Sequence, residues 1–337
     1  MSNILLSLDL LQVSFSEIPK YVQNSLSNLD SITINFSASG MHVINIVLAF
    51  VMFGVALGIR FQMFKEVFKH PKSVLIGFFS QSVGLPAMTF LLIILFNQWI
   101  TPMVAMGMIL VAACPGGNIS NFMSHYSKAN IELSVSLTAI SSTLSPLLTP
   151  FNFWLWGSFY VNFVNNRGAS ALVPLEIPLF QIFQTVFLLL GIPMILGVLT
   201  VTFLPKVAEK LKKPMQYFSL LFFVAMVVTA FSNNVDLFLK YIFFIFILVL
   251  IHNGSALALG YGLGTLFRVP NADRRALTVE TGIQNSGLGL VLLFNPKIFP
   301  PDIAIGGMLF VTAWWGIWHI ISGLSLSLYW SKKPLEK

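Results

Sequence analysis

The sequence predicts an all-α membrane protein that crosses the bilayer many times. Of its 337 residues, 56% are hydrophobic and only 9% are charged, and the mean hydropathy is +0.83. The apolar residues occur in runs of about 20 residues or more, which is the length that a helix needs to span a bilayer. Short loops use up the rest of the chain, so no separate soluble domain is expected.

Nine apolar segments are predicted to be transmembrane helices. They lie at about 42 to 60, 73 to 97, 101 to 126, 130 to 158, 174 to 203, 215 to 232, 237 to 267, 273 to 296 and 302 to 330. Residues 1 to 40 mix charged and apolar residues and predict an extracellular or interfacial segment. A cleaved signal peptide is the alternative, but the segment lacks a basic start and a clear small-residue cleavage site.

The basic residues test the number nine, because each added helix would move every later loop to the other side of the membrane. With nine helices, 15 of the 19 basic residues fall on one side: Arg60, Lys65, Lys69, Lys72, Lys128, Lys206, Lys210, Lys212, Lys213, Arg268, Arg274, Arg275, Lys332, Lys333 and Lys337. Basic loops stay in the cytoplasm, which places the N-terminus outside and the C-terminus inside. The predicted location is the cell membrane, or the inner membrane if the source is Gram-negative. The net charge of +7 is explained by topology and does not indicate nucleic-acid binding.

Two of the nine segments are interrupted in the middle. The first interruption reads Cys-Pro-Gly-Gly-Asn-Ile-Ser-Asn at 114–121, and the second reads Glu-Thr-Gly-Ile-Gln-Asn-Ser at 280–286. Proline removes a backbone donor and glycine relaxes the chain, so both helices should unwind there. Ordinary glycine kinks are the alternative. Paired interruptions in corresponding positions of two halves indicate a transporter binding site built on inverted repeats.

The interruptions lie five helices apart, so the two interrupted helices cross the membrane in opposite directions. Segments two to four and seven to nine are therefore predicted to be related by inversion. Where such helices cross, their N-terminal ends attract an anion and their free carbonyl groups attract a cation.

Polar residues surround the interruptions and present oxygen atoms. Glu280 is the acidic residue predicted to lie deep in the membrane, where an ionised group indicates a functional site. Ser134, Thr138, Ser141 and Ser145 recur at helical spacing on the segment after the first interruption, so they share one face. Helix packing alone is the alternative explanation for that face. Oxygen ligands with one carboxylate suit Na⁺ better than a transition metal.

The two interrupted strings resemble the signatures of the bile acid:sodium symporter family, and the pattern of segments from residue 42 to 330 matches that family along its length. The resemblance implies a core domain of two inverted three-helix units with crossing discontinuous helices, at about 73–158 and 237–330. It also implies a panel domain at about 42–60, 174–203 and 215–232, so that residues 41–337 form the transporter domain. Bacterial members of the family usually have ten helices, and the resemblance implies that the first of these is missing here, as in animal members.

The resemblance also implies site residues. The first sodium site would comprise Ser120, Asn121, Ser134, Thr138 and Glu280. The second would comprise Gln81, Glu280, Thr281, Ile283 and Gln284, with Thr281 and Ile283 contributing carbonyl groups. Asn118 and Asn285 would line the substrate side of the crossing. His319 resembles a position near the substrate in some relatives, although a histidine that only bonds a neighbouring helix is the alternative.

The expected function is sodium-coupled symport of an organic anion, such as a bile acid or a related carboxylate or sulfate, by alternating access. Na⁺ is the coupling ion, with two ions expected, and no other cofactor is expected. A proton-coupled carrier and a membrane sensor that binds without transporting are the alternatives. No nucleophile–base pair or phosphate loop supports an enzyme. The identity of the anion and the oligomeric state stay open.

Overall fold

The computed structural model describes residues 14, 16–31, 38–59, 69–166, 179–232, 235–300 and 303–333, and these residues form helices joined by short turns. In chain order the helices are α1 (Ile18–Asp30), α2 (Ala38–Ala56), α3 (Pro71–Leu95), α4 (Pro102–Ala113), α5 (Ile119–Tyr126), α6 (Ile131–Asn166), α7 (Leu179–Phe203), α8 (Pro205–Ser232), α9 (Val235–Leu266), α10 (Asn271–Gly282), α11 (Ser286–Leu293) and α12 (Gly306–Ser331). Helix α3 contains a π-helical turn, Ser80–Gly84, between two α-helical parts.

The described helices make this a multi-pass membrane protein. Five of them, α3, α6, α7, α12 and the part of α9 at Ile242–Leu266, are long and apolar enough to cross a bilayer. Large apolar side chains such as Leu91, Leu95 and Ile195 are exposed on their surfaces, as expected for helices that face lipid. The all-α, polytopic class is therefore confirmed, whereas the count of nine crossings stays a prediction. Arg60, Lys65 and Lys337 of the charge count lie outside the described residues.

Two groups of helices pack side by side. Helix α2 packs against α7 and α8, while α3, α4, α6, α9, α10 and α12 pack among themselves. Helices α4 and α12 approach closely at Gly107, where an added Cβ would lie 2.7 Å from the Cα of Met308. Helix α7 also packs against α6, which joins the two groups.

Helix α1 packs on the end of the second group. Its buried residues, Val22, Leu26 and Leu29, follow helical spacing and form one apolar face. Its last residue, Asp30, accepts hydrogen bonds from the Thr101 hydroxyl at 2.8 Å and the Met103 amide at 3.0 Å. Asp30 thus satisfies a free amide in the first turn of α4. The rest of the predicted N-terminal segment, residues 1–13, 15 and 32–37, lies outside the described residues.

The helix boundaries differ from the predicted segments at two places. Helix α6 extends to Asn166 despite Pro146 and Pro150, and its 36 residues give a length of about 54 Å, longer than the hydrocarbon core of a bilayer. Helix α8 begins at Pro205, ten residues before the predicted apolar segment. Proline suits the first turn of a helix, and the Lys and Glu residues that follow are good helix formers. Lys212 therefore lies within a helix.

A candidate ion and anion site at the crossing of two interrupted helices

Both predicted interruptions are present, and the two extended segments meet. Helix α4 ends before Cys114, α5 begins at Ile119, α10 ends before Ile283, and α11 begins at Ser286. Gly116 and Gln284 form an isolated antiparallel pair. The segments between the half-helices therefore cross each other inside the protein.

The crossing satisfies backbone groups that the interruptions release. The Gly117 amide donates to the Ile283 carbonyl at 2.9 Å, and the Asn285 amide donates to the Pro115 carbonyl at 2.8 Å. The Asn285 side chain accepts from the Leu288 amide at 3.1 Å and caps α11. From outside the crossing, Asn253 of α9 donates its amide to the Gly282 carbonyl at 2.7 Å. Unwound backbone in a membrane requires internal partners of this kind.

Glu280 is fully buried among hydroxyl groups from two other helices. Ser120 of α5 and Ser134 of α6 both donate to its carboxylate. The Thr138 hydroxyl lies 3.1 and 3.0 Å from its two oxygens. Asn121 Oδ1 lies 3.0 Å from the Ser134 hydroxyl and 3.3 Å from the Thr138 hydroxyl. The first predicted set of sodium ligands is thus one contiguous cluster of oxygen atoms.

The second predicted set surrounds the end of α10 on the side of α3. Gln81, in the π-helical turn of α3, donates to the Glu280 carbonyl at 3.1 Å. Gln284 donates to the Thr281 carbonyl at 2.8 Å, and the Thr281 hydroxyl lies 2.8 Å from that of Ser80. The side-chain oxygen of Gln284 is buried without a hydrogen-bond partner among the described residues. Ile283, also fully buried, follows the last residue of α10.

Gly116 lies between these two sets. A Cβ at Gly116 would lie 2.6 Å from Nε2 of Gln81 and 3.0 Å from Oε2 of Glu280. No side chain fits there without displacing one of the two, so glycine is required for the close approach.

A cavity of about 600 Å³ adjoins the crossing. Asn118, Asn285 and His319, the three predicted substrate-side residues, all lie in its wall. Thr138, Asn121 and Gln284 also lie in that wall, so they belong both to the oxygen clusters and to the cavity. The cavity is bounded on the α2 and α8 side by residues that include Val55 and Lys212.

Several residues of this region were not predicted from the sequence. Lys212, Gln216 and Ser219 of α8 line the cavity, but Lys212 had been counted only among the cytoplasmic charges. Their spacing of four and three residues was a detectable signal of one helical face. The contact of Ser80 with Thr281 could not be detected, because it depends on the π-helical turn. Asn253 of α9 has a structural role here, because its side chain bonds the carbonyl group at the end of α10.

The donor set fits a hard monovalent cation. The carboxylate, hydroxyl and amide groups around Glu280 offer oxygen atoms, which suit Na⁺. No group of three His, Cys, Asp or Glu side chains that could hold a transition metal occurs among the described residues. The side-chain oxygen of Gln284, which is buried beside the same crossing without a hydrogen-bond partner among the described residues, is available to coordinate a further ion.

Crossing interrupted helices, a buried carboxylate and an adjacent cavity together define a class of secondary membrane transporter. Residues 45–241 match the model of the sodium bile acid symporter family. The chain belongs to this family, whose members transport solutes and are not enzymes.

Three relatives illustrate the range of similar proteins. The chain is 32% identical to a sodium-dependent transporter, YocS, of Bacillus subtilis (strain 168), over 87% of this chain and 84% of the relative. It is 27% identical to a probable chloroplastic sodium/metabolite cotransporter, BASS2, of Oryza sativa subsp. japonica, over 79% and 62%. It is 28% identical to the sodium/bile acid cotransporter 4 of Homo sapiens, over 77% and 57%. The alignments thus span less than two thirds of the plant and human proteins.

Proposed function

We propose that the protein is a sodium-coupled symporter that carries an organic anion, such as a bile acid or a related carboxylate or sulfate, by alternating access. Two Na⁺ ions bind at the crossing. The first binds beside Ser120, Asn121, Ser134, Thr138 and Glu280. The second binds beside Gln81, Glu280, Thr281, Ile283 and Gln284.

The observation that supports this proposal is the sharing of side chains between the oxygen clusters and the cavity. Thr138 contacts both carboxylate oxygens of Glu280 and also lines the cavity. Asn121 contacts Thr138 and Ser134 and lines the same cavity. An ion bound to these oxygens therefore fixes part of the cavity wall, so the ion and the anion favour each other's binding.

The charge balance gives the ions a second role. A carboxylate at the bilayer centre costs about 2.5 to 3.5 kcal/mol on insertion scales. Two Na⁺ ions beside Glu280 remove that charge and leave the crossing with one positive charge, which attracts an anion. The anion binds beside Asn118, Asn285 and His319, between the core helices and the panel helices α2, α7 and α8.

The predicted topology gives the cavity an orientation. Nine crossings with the N-terminus outside place the end of α2 and the start of α8 at the cytoplasmic face. Ile59, which follows α2, and Lys212, near the start of α8, both line the cavity. We therefore interpret the conformation as facing the cytoplasm. The inverted relation of the two core units supplies the outward-facing counterpart.

The test is uptake into proteoliposomes by purified Glu280→Gln protein. Because the carboxylate is the charged ligand shared by both ion sites, we expect the variant to lose sodium-stimulated uptake and the thermal stabilisation that Na⁺ produces in the parent protein. Glu132→Gln is the matched control, because Glu132 is an exposed acid on α6 with a salt bridge to Lys69. Sodium dependence that survives in Glu280→Gln would contradict the proposal.

A proton-coupled carrier is the second candidate, and the burial of Glu280 among three hydroxyl groups favours it, because a carboxyl group in such a place can also carry a proton. Uptake driven by a pH gradient in sodium-free buffer would support this candidate. Sodium-dependent binding of an anion without flux into liposomes would instead indicate a sensor.

A further inference from the structure

Helix α8 contributes a polar face to the wall of the cavity. Lys212, Gln216 and Ser219 are separated by four and three residues, so they lie on one side of the helix. All three line the cavity that also contains Asn118 and Asn285 of the crossing. The panel side of the cavity is therefore polar at this helix.

Lys212 is the only residue with a full charge among the described residues that line the cavity. Its side chain is half-buried. Among the described residues, no carboxylate lies within ion-pair distance of its ammonium group. A half-buried lysine with no counter-ion among the described residues is stabilised by an anion that enters the cavity.

We propose that Lys212 binds the anionic group of the substrate, with the amide of Gln216 donating a second hydrogen bond. This inference rests on the proposed function and names the residues that select an anion. The lysine ammonium is a compact point charge with three donors, so it accepts a carboxylate, a sulfonate or a sulfate group. The N-terminal ends of α5 and α11, which also border the cavity, add positive partial charge.

The rest of the cavity selects for a bulky apolar body. Val51, Val55, Leu288 and Val291 are apolar parts of its wall. Its volume of about 600 Å³ lies within the range of pockets that enclose drug-sized ligands, whereas a three-carbon acid would leave most of it to water. These apolar residues would contact the body of the organic anion named in the proposed function, while Lys212 binds its anionic group.

Lys212 differs from the ion ligands because it lies on the panel helix α8, whereas the oxygen clusters belong to the other group of helices. A charge change at Lys212 should therefore alter anion binding and leave ion binding intact. Its sequence neighbour Lys213 carries the same charge, is exposed and does not line the cavity. The chain thus offers a matched control at the adjacent position.

The experiment compares the full-length parent protein with Lys212→Gln, Lys212→Arg and Lys213→Gln in nanodiscs. Thermal shift and calorimetry are measured with cholate, its neutral methyl ester and pyruvate as probes, each in Na⁺ and in choline buffer. Because a hydrogen bond to a charged group is lost, Lys212→Gln should weaken cholate binding in Na⁺ about 10- to 100-fold. Lys212→Arg should retain most of the affinity, and Lys213→Gln should match the parent. Stabilisation by Na⁺ alone should be the same in all four proteins.

The outcomes separate this inference from the proposed function. If Na⁺ stabilises the parent protein and Lys212→Gln binds cholate as Lys213→Gln does, the role of Lys212 is wrong while the proposed function stands. If the methyl ester binds as tightly as cholate, Lys212 does not recognise the anionic group and the inference is wrong. If only pyruvate binds, the apolar wall does not contact the substrate as inferred. If neither Na⁺ nor any probe stabilises the parent protein, both proposals fail.

Discussion

At the scale of single residues, the site depends on how closely Gln81, Glu280 and the backbone at Gly116 approach one another. Glu280 receives donors from Ser120, Ser134 and Thr138, and its backbone carbonyl receives one from Gln81. These contacts are possible because Gly116 has no side chain between the groups. The oxygen cluster and the helix interruption are therefore one structural unit.

Substituting Gly116 tests this dependence. In Gly116→Ala the new methyl group would lie 2.6 Å from the Gln81 amide and 3.0 Å from the Glu280 carboxylate, so one of them must move. We expect the affinity for Na⁺, measured by thermal shift against sodium concentration, to fall at least about tenfold, which corresponds to 1.4 kcal/mol.

Gly262→Ala serves as the control for this substitution. Gly262 lies within α9, and an added Cβ meets no atom within 4 Å. Because alanine favours a helix over glycine by up to about 1 kcal/mol, that variant should be as stable as the parent or more so. Equal sodium affinities in the two variants would show that Gly116 does not set the geometry of the site.

At the scale of elements, the connection of α1 to α4 shows how a helix outside the predicted spans joins the bundle. Asp30 ends α1 and caps α4, which leads directly to the first interruption. Burial raises the pKa of Asp30 from 3.8 to about 6, although the bonds from Met103 and Thr101 act in the opposite direction. The carboxyl group is therefore protonated more readily in the folded protein than in the unfolded chain.

This shift predicts a dependence of stability on pH. A raised pKa in the folded state contributes stability that is complete below the unfolded value of 3.8 and is lost as the pH rises through about 6. The melting temperature of the parent protein should therefore fall between pH 4 and pH 6 relative to that of Asp30→Asn, which cannot titrate. Glu17→Gln, at the exposed start of the same helix, controls for the loss of a negative charge. If Asp30→Asn and the parent protein change in parallel over this range, Asp30 does not carry the effect.

The two interruptions were the elements that the sequence predicted best. Proline and glycine at 115–117 and glycine at 282 are conspicuous within apolar runs. The polar residues beside them are costly to expose to lipid, so they must face the interior of the protein. The crossing was predicted from these signals, whereas the pairing of Gly116 with Gln284 within it was not. The start of α8 was not predicted, because its charged residues match a loop by composition although their helix propensity is high. The rotation of α8 that turns Lys212 into the cavity is set by packing against α2 and α11, which no local signal encodes.

At the scale of the whole molecule, the proposed stoichiometry sets the electrical behaviour of transport. Two Na⁺ ions with one monovalent anion carry one net positive charge across the membrane in each cycle. The membrane potential then contributes about 2.3 kcal/mol per 100 mV to accumulation of the anion.

This charge movement can be measured in proteoliposomes. With equal sodium on both sides, a potassium diffusion potential that is negative inside should drive uptake of cholate, and reversing the sign of the potential should stop it. Liposomes without a potential are the control. Uptake that follows the sodium gradient but ignores the potential would indicate one Na⁺ per anion, and hence one functional ion site.

The π-helical turn of α3 determines where in this helix a single residue can be deleted. A π turn bonds residues five apart and so holds one residue more than an α-helical turn. Deleting one residue from Ser80–Gly84 would convert this wide turn into an α-helical turn and leave the two flanking parts of α3 in register. Ser73 before the turn would keep its bond to Asp273, and Thr89 after the turn would keep its contact with His252 at 2.7 Å. The helix can therefore lose a residue at this turn without repacking, whereas a deletion elsewhere in α3 would rotate every later residue by about 100°.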